Sequence, residues 1–136
     1  MPSTAALTDA DYAALADFRY ALREFQAFSE VRVAEYGLTP QQHQALLAIR
    51  GARDARVSIG YIAARLILKP HSASGLIDRL EALGLVERRT SPDDGRQALI
   101  ELTGEATVLL EKLSHTHREE ILRLRPLLST LLDTFV

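Results

Sequence analysis

The sequence predicts a mainly α-helical fold with one small β-hairpin, and the order of parts between Ser58 and Thr103 predicts it. A short helical pattern over Ser58–Ile67 meets a break at Lys69-Pro70, and a second helical pattern runs on to Gly84. Proline disfavours helix at the residue before it and permits helix just after, so the second helix starts afresh. A ribbon follows: Leu85–Thr90, a turn over Ser91–Gln97 containing Pro92 and Gly95, then Ala98–Leu102. Long segments with apolar stripes flank this module on both sides.

Residues 1–7 are expected to be a loose leader. Thr8 with Asp11 three residues later has the form of a capping box. Leu15, Phe18, Leu22, Phe25 and Phe28 then recur at steps of three and four, the spacing of one helix face. No Pro or Gly intervenes before Gly37, so a helix is predicted over residues 9–36, roughly 40 Å long at the usual rise. Gly37-Leu-Thr-Pro40 stops it and starts the next, with Thr39 as N-cap, Pro40 at the first helical position, and Leu46, Leu47 and Ile49 inward. Residues 51–57 read as a loop, with Val57 a candidate third strand beside the hairpin.

Ser58 caps the third helix, whose Ile59, Ile62, Ala63 and Leu66 share a face. In the helix after Pro70, Ala73, Ile77, Leu80 and Gly84 lie on one side, flanked by Leu76 and Leu83. His71, Ser72, Ser74, Asp78, Arg79 and Glu81 point outward. Leu102-Thr103 opens a last long helix with Leu109 or Leu110, Leu113, Ile121 and Leu124 inward, bent or interrupted at Pro126. Leu127, Leu128, Leu131, Leu132 and Phe135 make its end strongly apolar. The expected organisation is one domain over 1–136, with a DNA-reading type of lobe at 38–103 between dimerisation helices at 9–36 and 104–136. A lone chain would expose those stripes as an apolar patch, so a homodimer with interleaved terminal helices is expected.

Composition narrows the function classes. The absence of cysteine excludes disulfides, thiolate chemistry and cysteine-based zinc sites. No apolar run approaches the roughly 18 residues that cross a bilayer, and the N-terminus lacks a secretory pattern, so a cytoplasmic chain without a membrane partner is expected. The formal net charge is −2, yet residues 56–97 hold seven basic and five acidic side chains. That distribution permits a basic face on the central module. No nucleophile–base pair, phosphate-cradling glycine loop or metal cluster is recognisable, so neither an enzyme nor a cofactor is expected. His115 with Glu119 is the best-spaced pair for a metal, but a solvated helix face is the better reading, and no metal is expected.

A helix-turn-helix followed by a two-stranded wing is a shape that reads duplex DNA. Its second helix enters the major groove with N-terminal residues on base edges. Those are His71, Ser72 and Ser74 here, with Gly75 allowing close approach. At the wing tip Arg96 is placed for the flanking minor groove, with Asp94 expected to hold its guanidinium by a charge-assisted bond. Arg88 and Arg89 alternate sides on the first strand, one toward phosphates, and the sequence leaves open which. Lys69, Arg65 and Arg79 are either backbone contacts or local partners of carboxylates such as Asp78 and Glu81. The expected partner is double-stranded DNA bearing an inverted repeat, read by a homodimer.

Three stretches carry a family likeness: Gly37-Leu-Thr-Pro-Gln-Gln-His43, Leu76-Ile-Asp-Arg-Leu-Glu-Ala-Leu-Gly-Leu-Val86 and Ser91-Pro-Asp-Asp-Gly-Arg-Gln-Ala-Leu-Ile-Glu-Leu-Thr103. Together they resemble the MarR family of bacterial winged helix-turn-helix transcription regulators, over nearly the whole chain. The resemblance implies a homodimeric regulator, commonly a repressor, released from DNA by a small aromatic or anionic ligand held between the dimerisation helices and the DNA-binding lobe. It also implies wing roles for Asp94 and Arg96. Gly75 and Gly95 depart from the family pattern, where arginine is common. Phe28, Arg32, Tyr36, His43 and Arg50 mix aromatic surface with positive charge and are the effector-binding candidates. The alternative reading is a winged-helix protein–protein interaction module without DNA binding.

Overall fold

The computed structural model describes residues 5–54, 56–93 and 95–135. The elements run α1 (Asp9–Ala34), α2 (Pro40–Arg50), α3 (Ile59–Leu66), α4 (Pro70–Ala82), β1 (Val86–Thr90), β2 (Ala98–Leu102), α5 (Gly104–Lys112) and α6 (Ser114–Phe135). They form two compact units. One comprises the chain up to Arg32 with the chain from Ser114 onward, and the other is Val33–Leu113.

The Val33–Leu113 lobe starts and stops its helices by local chemistry. Thr39 accepts from the Gln42 amide while the Gln42 side chain accepts from the Thr39 amide, a complete capping box ahead of Pro40. Ser58 caps α3 through the Tyr61 amide. Thr103 caps α5 through the Ala106 amide, and its hydroxyl donates to the Gly84 carbonyl at 2.7 Å, tying the start of α5 to the end of α4. Val86 to Thr90 pair antiparallel with Leu102 to Ala98. The Val57 carbonyl accepts from the Ile100 amide at 2.7 Å, so residue 57 adds one bond to the ribbon without becoming a strand of the two-stranded sheet.

These elements close one core. Leu46, Ile62, Leu76, Ile77, Leu80, Val86, Ile100 and Leu113 are essentially inaccessible, and Val33, Leu38, Val57 and Leu110 pack with them. Two inward expectations are corrected: Leu47 and Leu83 are exposed. Leu47 lies a step off the stripe that Leu46 and Ile49 fill, and Leu83 lies past the last residue of α4, as its C-cap.

In the other unit, Thr8 and Asp11 form the reciprocal cap expected of them, the Thr8 amide donating to Asp11 and the Asp11 amide to Thr8 Oγ1. The last helix is not one piece from residue 104. It breaks at Leu113, whose amide folds back on Leu109, Leu110 and Glu111 as that side chain sinks into the lobe core. Pro126 does not interrupt α6, which runs through it. Proline removes the amide that would bond the carbonyl of Leu122, four residues earlier, and Leu122 is exposed. Ile121, expected inward, is mostly exposed, as are Leu122, Leu128 and Leu132. Among the described residues, no helix is long and apolar enough to cross a membrane.

Candidate nucleic-acid interface

The turn between α3 and α4 is built by Ile67, which closes α3 in the left-handed region, and by Lys69, which is the N-cap of α4. Lys69 is extended, as a residue before proline must be, and its side chain makes no cap hydrogen bond. The first-turn amides of α4 are thus left to solvent or an anion, the arrangement that binds phosphate at helix starts. His71 and Ser72 are exposed on that first turn, while Ser74 and Gly75 are half-buried beside the fully buried Ala73. The Arg79 guanidinium stands over Gly75, 3.6 Å from where a Cβ would lie. That is ordinary van der Waals distance, so packing does not demand a glycine at position 75.

The wing carries Pro92, Asp93, Gly95, Arg96 and Gln97 as exposed residues at its tip, and the Ser91 amide closes the loop on the Gln97 carbonyl at 2.9 Å. Arg96 therefore projects from the lobe on a hairpin whose root is fixed. Gly95 meets nothing nearer than Thr90 Cγ2 at 3.9 Å, so packing does not demand a glycine there. Asp94 and its expected hold on Arg96 lie outside the described residues. Asp93 is instead engaged, in an ion pair with Arg56 from the α2–α3 loop.

Arg88 and Arg89 differ in what they touch. Arg88 reaches from β1 to α4 and bridges Asp78 at 2.5 Å and Glu81 at 2.7 Å. Hydrogen bonding to Asp78 raises its pKa above the ordinary arginine value, outweighing a partial burial that acts the other way. Asp78 and Glu81, which the sequence offered as alternative local partners for Lys69, Arg65 or Arg79, are thus engaged by Arg88, which ties β1 to α4. Arg89 pairs with Glu101 across the ribbon at 2.9 Å, on a diagonal of the ladder, and is the more exposed of the two.

The five effector candidates divide between the two units, Phe28 and Arg32 in the terminal one and Tyr36, His43 and Arg50 in the lobe. In the terminal unit, the Phe28 ring has two guanidinium groups near its face, Arg123 at 4.2 Å and Arg32 at 5.6 Å from the ring centre. In the lobe, His43 is buried and Arg50 is exposed on the last turn of α2. Tyr36 lines a cavity of about 500 Å³ in the lobe with Leu38, Leu85, Val108, Glu105 and Lys112. His115 and Glu119 pair at 2.9 Å on α6, and no cluster of three or more potential metal ligands occurs among the described residues.

Sequence reasoning missed the Arg88 bridge, the Arg56–Asp93 pair and the left-handed Ile67. The first two join residues far apart in the chain, and nothing in isoleucine signals a positive φ.

Comparison with known proteins places this lobe. Residues 36–97 match the sequence profile of the MarR family. An HTH-type transcriptional repressor, YetL of Bacillus subtilis (strain 168), is 33% identical over 85 residues, which are 62% of this chain and 51% of YetL. The match thus spans about half the length of that relative. A MarR transcription factor from Planctomyces limnophilus superposes with a TM-score of 0.64 at 26% identity, covering 97% of this chain and 94% of that one. MepR of S. aureus, solved as a complex with DNA, superposes with a TM-score of 0.69 at 21% identity, covering 89% and 85%. The shared fold is the winged helix-turn-helix.

Proposed function

The chain belongs to the MarR family, and from that premise we propose that it is a cytoplasmic, homodimeric, sequence-specific DNA-binding repressor. The observation that carries the proposal is that one closed lobe presents two exposed probes. One is the uncapped first turn of α4 with Lys69, His71 and Ser72, and the other is the wing tip with Arg96. The repressor role is supported by the likeness to YetL, and the DNA partner by the fold shared with DNA-bound MepR. Ser74, Gly75 and Arg79 line the next turn of α4, Arg89 offers a phosphate contact from the wing, and Arg88 acts through its brace rather than by touching DNA.

Two copies are proposed because the terminal helices leave Tyr12, Tyr20, Val31, Ile121, Leu122 and Leu132 exposed. Release by a small aromatic or anionic ligand completes the proposal. The places that suit such a ligand are the Phe28 ring with its cations and the Tyr36–Lys112 cavity. The test is selection of bound sequences from random duplexes at low salt, followed by gel shift with added aromatic acids. An inverted repeat with half-sites about one helical turn apart is expected. With about eight phosphates neutralised, log affinity falls against log salt with a slope near −7. A selection that prefers no duplex over random DNA would overturn the proposal, leaving a protein-binding winged helix as the reading.

A further inference from the structure

Ile67 sits at φ 55° and ψ 50°, and it is the one non-glycine residue with positive φ among the described residues. For a β-branched side chain that conformation is an outlier, because Cβ crowds the neighbouring carbonyl. Glycine takes it freely, as Gly37 and Gly84 do elsewhere in this lobe. Such strain persists where the surrounding structure fixes the residue, and packing of the side chain is the usual compensation. Ile67 has no such packing, being 92% exposed, more than any other large hydrophobic residue described. One residue thus carries both a strained backbone and a bare apolar side chain, and neither stabilises the lobe. It lies two positions before Lys69, the N-cap of α4, beside the exposed Arg65 and just ahead of the exposed His71 and Ser72.

We propose that Ile67 is a specificity-determining residue of the DNA interface, an apolar probe that meets the C5-methyl of thymine in the major groove. The assignment rests on the DNA-binding function proposed above. A saturated side chain makes no hydrogen bond, so it is blind to the donor and acceptor code of base edges. The thymine methyl is the apolar group that those edges present in the major groove. β-branching stiffens χ1 and the turn fixes the backbone, which makes the side chain a rigid probe at the mouth of the reading helix. Lys69 and Arg65 stand on either side to engage phosphates.

The test uses a duplex selected from random sequence by the wild-type protein, prepared with thymine and with deoxyuridine, which differ only by the methyl group. Wild type is expected to bind the deoxyuridine duplex about fourfold more weakly for each methyl it buries. I67G is expected to bind both forms equally, and I67L to regain part of the discrimination. Relief of the left-handed strain is expected to raise the Tm of I67G by roughly 4 °C or more. Equal discrimination by wild type and I67G, or none by wild type, overturns the assignment while leaving the DNA-binding function intact. A lower Tm for I67G overturns the strain on which it rests. Failure to enrich any duplex overturns the function and this assignment together.

Discussion

The lobe and the terminal helices treat their apolar residues differently. In Val33–Leu113, helices and hairpin enclose Leu46, Ile62, Leu76, Ile77, Leu80 and Ile100 with almost no exposure. In the terminal unit many large side chains remain more than half exposed, including Tyr12, Tyr20, Val31, Ile121 and Leu122, while Phe18, Phe25 and Phe28 are only partly covered and Ala21 is buried. That unit also holds Glu120, which is buried and whose Oε1 has no hydrogen-bond partner among the described residues. An apolar stripe needs a partner surface, and the lobe finds one within itself. The difference teaches a division of labour: the lobe closes its own core, while the terminal helices keep apolar faces open, the faces that the proposed second copy would cover.

Four substitutions break or sharpen that contrast. Leu80→Ala opens a cavity in the closed core and is expected to cost about 2–5 kcal/mol, with a fall in Tm that does not depend on protein concentration. Arg96→Ala removes the wing tip cation and is expected to cost about 1–3 kcal/mol of DNA binding in a fluorescence titration. Thr103→Val deletes both the cap of α5 and the bond to the Gly84 carbonyl, and a loss of about 1–2 kcal/mol in urea unfolding is expected. Leu122→Ala should shift the unfolding free energy of a lone chain by less than about 0.5 kcal/mol, since the side chain is exposed. Its effect should appear as weaker self-association in sedimentation equilibrium. A concentration-independent loss as large as that of Leu80→Ala would erase the contrast.

Most of the lobe was legible from local chemistry. Thr39-Pro40, Ser58, Pro70 and Thr103 each act within three residues of themselves, so caps and breaks place α2, α3, α4 and α5 from sequence alone. The hairpin was legible because Pro92 and Gly95 punctuate two runs of β-favouring residues. The break at Leu113 was not, for no proline or glycine marks it, and Leu113, the C-cap there, is a leucine buried in the lobe core. At Pro126 the interruption offered as one alternative does not occur, for α6 runs through it. In the interface, exposure of His71, Ser72 and Arg96 followed from their positions on a turn and a tip. The bridge from Arg88 to Asp78 and Glu81 did not, because it joins a strand to a helix and depends on their packing.

The division of labour is tested most directly by the mass of the complex on a selected duplex, measured by sedimentation at micromolar protein. Two chains of 15.1 kDa per duplex, with protection of two half-sites about one helical turn apart, are expected. A single chain per duplex, or a free protein that sediments as one 15.1 kDa chain at that concentration, would contradict it.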